Sequence, residues 1–358
     1  VTSVLRSRAV GLAAVTALLI AATTVVGTTT AAGAVPAGAA TGATAVCAGP
    51  GARRTGVAAG TNTRTLAVGG EERAYRIEVP ASYRPSKPAP LLFDFHGLGS
   101  NKEQQALYAG LEAKGGAAGY VVITPDGSGG VAKRWVPPPI PGPDLAFVQA
   151  MLDTTERELC IDARRVDATG ISSGAVFSTA LACALPGTFA AIAPVAGVNG
   201  HAVCAGGAPK VSVLAFHGTA DGIVPYAGGR YFGGVDLALL PEALRERAQD
   251  LAGLTARPVM TAIAEWAAFD GCATSPTTST VASDVTRTVY PKCAARAAVE
   301  LYTVEGGGHT WPGAPSVRTS RLGPTTQSID ASALMLRFFT AHPRDVASKS
   351  EAGRVAAR

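Results

Sequence analysis

The run Gly170-Ile171-Ser172-Ser173-Gly174 follows the pattern Gly-x-Ser-x-Gly, which can carry a nucleophilic hydroxyl on a sharp strand-to-helix turn. On such a turn, side chains two positions before and after the serine would collide, which accounts for Gly170 and Gly174. The same turn strains the Ser172 backbone and exposes its Oγ above the sheet. It also directs the N–H of Ser173, at a helix N-terminus, toward the carbonyl under attack.

A serine hydroxyl needs a base, and the base needs an orienting acid. With this type of turn, the order along the chain is serine, acid, histidine. Five histidines are present. His309, in the glycine-rich run Gly306–Gly313, is the candidate base. His342 lies beside Pro343 at the end of the last expected helix and reads as a cap, while His201 and His217 precede or border the acid. Asp221, in His217-Gly218-Thr219-Ala220-Asp221, lies at the carboxyl end of an expected strand, where such sheets place reactive groups. Asp270, closing a helix, is the alternative acid. Asp126 precedes the serine and reads as stabilising its own turn. A second N–H donor to an oxyanion is expected in His96-Gly97-Leu98-Gly99, from Leu98 or, failing that, Gly97. His96 itself reads as a structural hydrogen-bonder. Trp135 and Trp311 are candidate substrate-binding aromatics, with Trp311 forming the wall of an acyl pocket. Trp266 reads as core.

These groups need a scaffold that brings strand ends together. Strands are expected at Arg73–Val79, Leu91–Phe95, Tyr120–Thr124, Val166–Gly170, Ala190–Val195, Val211–His217 and Glu300–Val304. Helices are expected at Lys102–Ala118, Asp144–Leu159 with an acid capping its start, Ser173–Leu185, Pro258–Asp270 and Ser328–Ala341. Their alternation predicts an α/β fold, a mostly parallel central sheet with helices on both faces. Residues 35–60 read as a short spacer, 61–342 as one catalytic domain, and 343–358 as a disordered tail. The loops Gly127–Pro143 and Tyr226–Leu254 carry no readable pattern.

Arg6 and Arg8 precede an apolar run from Ala9 to Val26, followed by small residues with Ala-x-Ala sites at Ala32–Ala34 and Ala43–Ala45. Residues 1–34 therefore read as a secretory signal peptide, a membrane anchor being the alternative. Val46, in the position before Cys47, argues against a lipoprotein. The initial Val reads as a start codon translated literally, so the N-terminus is expected to be complete. Among 358 residues, 47% are hydrophobic and only 16% charged, which excludes disordered, collagen-like and coiled-coil chains. The 42 glycines and 24 prolines fit a loop-rich protein. The net charge of +5 resides in five arginines before residue 71, and the remainder balances 26 basic against 26 acidic residues. No nucleic acid or anionic membrane is expected as partner. Six cysteines without C-x-x-C or zinc spacing predict three structural disulfides and no metal. Cys272–Cys293 is the expected pair, closing a polar loop. Pairings among Cys47, Cys160, Cys183 and Cys204 stay open.

His96-Gly97, the Gly170–Gly174 turn, His217–Asp221 with Val224-Pro225-Tyr226, and Gly306–Gly313 together resemble the secreted feruloyl-esterase and polyhydroxybutyrate-depolymerase-like branch of α/β-hydrolases. The cysteine positions are similar to those of feruloyl esterases in the first carbohydrate-esterase family. The resemblance spans about residues 47–341 and implies the α/β-hydrolase fold and a serine carboxylesterase without cofactor. Its substrates would be feruloyl or acetyl esters of plant xylan, or short polyesters. Ser173 departs from the Ala, Asn or Tyr of many relatives, and no separate carbohydrate- or polyester-binding module is expected. A monomer is expected. A secreted binding protein on a retired hydrolase scaffold is the competing reading, against which the full set of nucleophile, acid and base argues.

Overall fold

The computed structural model describes residues 57–130, 132–315 and 322–345. The expected signal peptide, Cys47, most of the spacer and residues 346–358 lie outside them.

The described residues form twelve strands and seven α-helices, in chain order β1 (Gly60–Val68), β2 (Glu71–Val79), β3 (Ala89–Phe95), α1 (Lys102–Ala109), α2 (Leu111–Ala117), β4 (Val121–Pro125), α3 (Pro143–Glu158), β5 (Ile161–Ile171), α4 (Ser173–Ala184), β6 (Ala191–Val195), β7 (Ser212–Gly218), β8 (Gly229–Arg230), α5 (Glu242–Ala252), β9 (Thr255–Ala256), α6 (Val259–Phe269), β10 (Thr277–Ala282), β11 (Val285–Tyr290), β12 (Val299–Val304) and α7 (Ala331–Ala341). The main sheet has the order β1-β2-β4-β3-β5-β6-β7-β12-β11-β10. From β4 to β12 every neighbour pair is parallel; β1, β2, β10 and β11 join antiparallel at the two edges. This is the α/β-hydrolase architecture.

Period-two alternation sorts the strand side chains onto two faces. In β3, Leu91, Phe93 and Phe95 join one apolar cluster with Phe147 of α3, Phe177 of α4 and Trp266 of α6. Leu92 joins the other, with Leu111 of α2 and Met335 and Phe339 of α7. Helices thus cover both faces, as the alternation predicted. Strands such as β3 and β6 are buried on both sides, which is why they read as largely apolar runs.

Several expectations are corrected. The single helix expected over Lys102–Ala118 is two, because Gly110 takes the left-handed conformation (φ 64°) and its N–H closes α1 onto the Ala106 carbonyl. The spacer does not extend to residue 60: Val57 packs against the core and Gly60 already opens β1. This edge strand, Gly-Thr-Asn-Thr-Arg-Thr, has alternating exposure but no apolar run to reveal it. The polar loop between Cys272 and Cys293 is the hairpin β10–β11, whose outer strand is exposed at nearly every position. The tail does not loosen at Pro343, since the Arg344 N–H donates to the Arg164 carbonyl and Arg296 pairs with Asp345. Asp144 does not cap its helix. Gly142 occupies the cap and Pro143 the first turn, while the Asp144 carboxylate accepts from Arg73, Ser128 Oγ and the Val136 N–H.

Disulfides join Cys272 to Cys293 and Cys183 to Cys204, and Cys160 is also disulfide-bonded. The first ties the end of α6 to the turn after β11, across 21 positions. Cross-linking a loop of that size stabilises a fold by roughly 3 kcal/mol in the chain-entropy model.

Asp270, the alternative acid, is buried at the end of α6, where one oxygen accepts the Val211 N–H and the other has no partner among the described residues. Burial pushes its carboxyl up to about 7, against the opposing Val211 hydrogen bond and the Lys210 charge. Its pKa in the folded state lies above that of an unfolded aspartate, so the folded state holds the extra proton and loses stability as pH rises between the two values. Asp270→Asn, which mimics the protonated form, is expected to raise the melting temperature by several degrees at pH 8.5 and to change it little at pH 5, measured by calorimetry at both.

Candidate active site

Ser172 stands between β5 and α4 with φ 57° and ψ −121°, a left-handed conformation that a non-glycine residue adopts only under constraint. The constraint is backbone against backbone. A Cβ on Gly170 would lie 2.5 Å from the Phe95 carbonyl oxygen and 2.7 Å from the Gly174 backbone, and one on Gly174 would lie 2.2 Å from the same Phe95 oxygen. The glycines are therefore required by collision with β3 as well as with each other. The Ser172 N–H is held by the Val195 carbonyl at 3.0 Å.

Asp221 follows β7, and His309 follows β12. These strands are parallel neighbours in register Thr303↔His217 and Val304↔Gly218, so their ends lie side by side. The Ala220 N–H donates to the Gly307 carbonyl at 2.9 Å, stitching the two loops together. His309 Nδ1–H donates to Asp221 Oδ2 at 2.8 Å. Asp221 Oδ1 accepts the N–H groups of Ile223 and Val224, at 2.9 and 2.8 Å. Burial would raise the Asp221 carboxyl, but the charge of His309 and hydrogen bonds from His217 and His309 outweigh it and hold the group well below the usual carboxylate range. Asp221 is thus an ionised, fixed acceptor. With its Nδ1 engaged there, His309 leaves Nε2 as the nitrogen available for proton transfer.

The reading of the sequence passed over His217. Its Nε2 lies 3.3 Å from Asp221 Oδ2 and 2.8 Å from the Val224 carbonyl oxygen, inside the same buried cluster. The four-residue spacing of His217 and Asp221 across the strand end is the signal that could have found it.

Ser172 and His309 open onto one cavity of about 610 Å³, shared with the Gly97–Ser100 loop, α1 and the Tyr226–Leu254 segment. Ser172 Oγ makes no hydrogen bond to a described residue; such contacts commonly tighten only around substrate. The N–H groups of Leu98 and Ser173 likewise donate to no acceptor among the described residues. Gly97 lies beside the serine: a Cβ there would make ordinary van der Waals contact with Ser172 Cβ, at 3.5 Å. Among the described residues no cluster of three or more His, Cys, Asp or Glu could hold a metal, and no helix is long and apolar enough to cross a membrane.

Trp135 and Trp311 are not brought to the cavity. Trp311 is 1% exposed, its Nε1–H bonded to Ser332 Oγ in the core beneath α7. Trp135, 3% exposed, stacks on Phe177 at 4.9 Å and donates Nε1–H to the His96 carbonyl. Both were expected at the surface of a pocket; their large apolar area is instead spent in the two cores. The cavity wall comes from aliphatic side chains, Leu98, Ile171, Ile223, Leu240, Leu244 and Leu322, with Tyr108 and Phe232. Asp126 does not brace its own turn: its carboxylate accepts from the N–H and Nζ of Lys102 at the start of α1, whose cap is Asn101. His342 Nδ1 meets the Phe338 carbonyl at the end of α7, the capping role expected.

His96 pins the loop carrying Leu98. Its Nδ1–H donates to the Gly97 carbonyl at 2.7 Å, and its Nε2 accepts the Gly127 N–H at 2.9 Å. Accepting at Nε2 requires a neutral ring, and burial lowers the His96 pKa to about 4.

No family model matches the chain. Among curated proteins, feruloyl esterase D of Neurospora crassa is 32% identical over 178 residues, 46% of this chain and 59% of that one. Feruloyl esterase C of Emericella nidulans is 33% identical over 166 residues, 44% of this chain and 58% of its own. The chain spans about three-fifths of the length of these relatives. Among solved structures, an acetyl xylan esterase from Aspergillus awamori superposes with a TM-score of 0.48 at 15% identity, over 70% of this chain and 94% of that one. The chain is feruloyl-esterase-like in sequence and an α/β-hydrolase in fold.

The His96 arrangement has a pH signature. Because its folded pKa is below that of a free imidazole, its stabilising effect is complete above about pH 6.5 and is lost as pH falls toward 4. His96→Phe keeps a ring but strands the Gly127 N–H, and is expected to cost about 1–3 kcal/mol at pH 7. That difference should shrink toward zero near pH 4, as read from thermal melts of both proteins.

Proposed function

We propose that this chain is a secreted serine esterase that cleaves carboxylic esters of plant cell-wall polysaccharides, of the feruloyl-esterase type. The observation that carries the reading is the buried, ionised Asp221 bonded to His309 Nδ1 on the same cavity as the strained Ser172. The feruloyl esterases similar to it in sequence support the choice of ester.

In this mechanism His309 Nε2 takes the Ser172 proton as Oγ attacks the ester carbonyl. Asp221, fixed by two backbone N–H groups, stabilises the imidazolium that forms. The carbonyl oxygen, now an oxyanion, receives the Leu98 and Ser173 N–H groups, donors with no competing acceptor. His309 then returns the proton to the departing alcohol, leaving an acyl group on Ser172. A water activated by His309 attacks that acyl carbon, and collapse of the second tetrahedral species frees the acid and restores Ser172. No cofactor enters this sequence. Export of the chain as a monomer, with removal of an N-terminal signal so that the mature protein begins between about residues 35 and 47, completes the proposal.

Ser172→Ala is expected to abolish labelling by a fluorophosphonate probe and to lower kcat for methyl ferulate by several orders of magnitude. His309→Ala should do likewise, with Asp221→Ala costing least of the three. Substantial turnover by Asp221→Ala would move the acid elsewhere. His217→Phe, which removes one donor to Asp221 and keeps the ring, should lower kcat about tenfold with little change in KM. A polyester depolymerase is the second reading, favoured by the aliphatic cavity wall; faster clearing of a polyhydroxybutyrate suspension than hydrolysis of methyl ferulate would select it.

A further inference from the structure

The cavity beside Ser172 is apolar over most of its surface, and one buried polar side chain away from the reacting groups interrupts it. Gln105 of α1 is 1% exposed, yet it lines this cavity. A buried amide has two ends to satisfy. Its Nε2–H donates to Asp94 Oδ1 at 2.7 Å. Its Oε1 bonds to no described residue, and it is not among the buried polar atoms sealed off without a partner. It is therefore an acceptor without a partner among the described residues, on a side chain that lines the cavity.

Asp94 explains why the amide is held this way round. It sits in β3 between Phe93 and Phe95, and alternation turns it to the face opposite theirs, where α1 packs. It is completely buried, with Gln105 as its hydrogen-bond partner. In this arrangement Asp94 Oδ1 accepts from the NH2 end of the amide, while Asp94 Oδ2 has no partner among the described residues, and the carbonyl end of Gln105 stays free of both. Burying two polar side chains to present one acceptor costs stability unless a ligand uses it.

We propose that Gln105 is a specificity-determining residue, its Oε1 accepting a hydrogen bond from a hydroxyl on an otherwise apolar acyl group bound against Ser172. The Asp94–Gln105 pair makes the cavity selective for a hydrogen-bond donor rather than for apolar bulk alone. This rests on the esterase reading. The hydroxyl can be phenolic or borne on an aliphatic chain; the chemistry recognised is the same.

The test compares kcat/KM within matched ester sets, a ratio unaffected by the fraction of folded enzyme. The aromatic set is the methyl esters of cinnamate, para-hydroxycinnamate and para-methoxycinnamate. The aliphatic pair is methyl octanoate and methyl ω-hydroxyoctanoate. The wild type is expected to prefer the hydroxylated ester by about five- to tenfold in at least one set, the worth of one neutral hydrogen bond. The set that shows it identifies the carrier of the hydroxyl. Gln105→Met, of similar volume but without the amide, should bring that ratio close to one while still hydrolysing the unsubstituted esters. Asp94→Asn, which lets the Gln105 amide face either way, should narrow the ratio as well. Equal rates within both sets for the wild type, an unchanged ratio in Gln105→Met, or a methoxy ester preferred over the hydroxy ester would each overturn the proposal. Failure of the wild type to hydrolyse any of the esters or p-nitrophenyl acetate would instead count against the esterase reading on which it depends.

Discussion

One contact sets the geometry of the nucleophilic side of the site: the Phe95 carbonyl of β3 lodged against the backbone of Gly170 and Gly174. No side chain fits between them, so the Ser172 turn is pressed onto the end of the neighbouring strand. Phe95 is also the last residue before the loop His96–Ser100. The same contact therefore fixes how far the serine lies from the Leu98 N–H, with Gly97 as the spacer of least bulk. The loop is then held from behind. His96 bonds Gly97 and Gly127, the Trp135 indole donates to the His96 carbonyl, and the Gly99 N–H donates to the Lys133 carbonyl. Trp135 and His96 thus act on the site without touching the cavity.

The acid and base are held by a different pair of parallel strands. The register of β7 with β12 brings the Asp221 turn beside the His309 loop, and Gly307 accepts a hydrogen bond from Ala220. Asp221 is surrounded by donors: two backbone N–H groups on one oxygen, His309 and His217 on the other. An ionised carboxylate without water survives only where its lone pairs are met in this way. That requirement explains why the strand end, the turn and both histidines converge on a single residue.

Between these two halves lies a cavity whose walls are aliphatic and whose polar groups are few. Much of its far wall, Phe232, Leu240 and Leu244, comes from the long segment between β7 and α6. A segment of this kind can vary without disturbing the sheet, so it is the natural place for substrate choice to be set, whereas the strand ends carry the reacting groups.

The strands buried on both faces, the glycine-flanked serine and the order serine, acid, histidine were legible in the sequence, because each depends on local composition or on separation along the chain. Edge strands β1 and β10 were not, since exposed Thr-rich segments owe their conformation to a neighbouring strand rather than to an apolar pattern. Nor could the sequence sort the aromatic residues: Trp311 is two positions from His309, yet its side chain turns into the core. His217 beside Asp221, His96 beneath the Leu98 loop and Gln105 on Asp94 all involve groups joined by packing or by the direction a side chain takes from its strand or helix. The sequence by itself determined which residues were able to react and the sheet that could bring them together. Only the tertiary structure decided which polar groups share a buried space, because burial and hydrogen-bond pairing are set by contacts between segments distant in the chain.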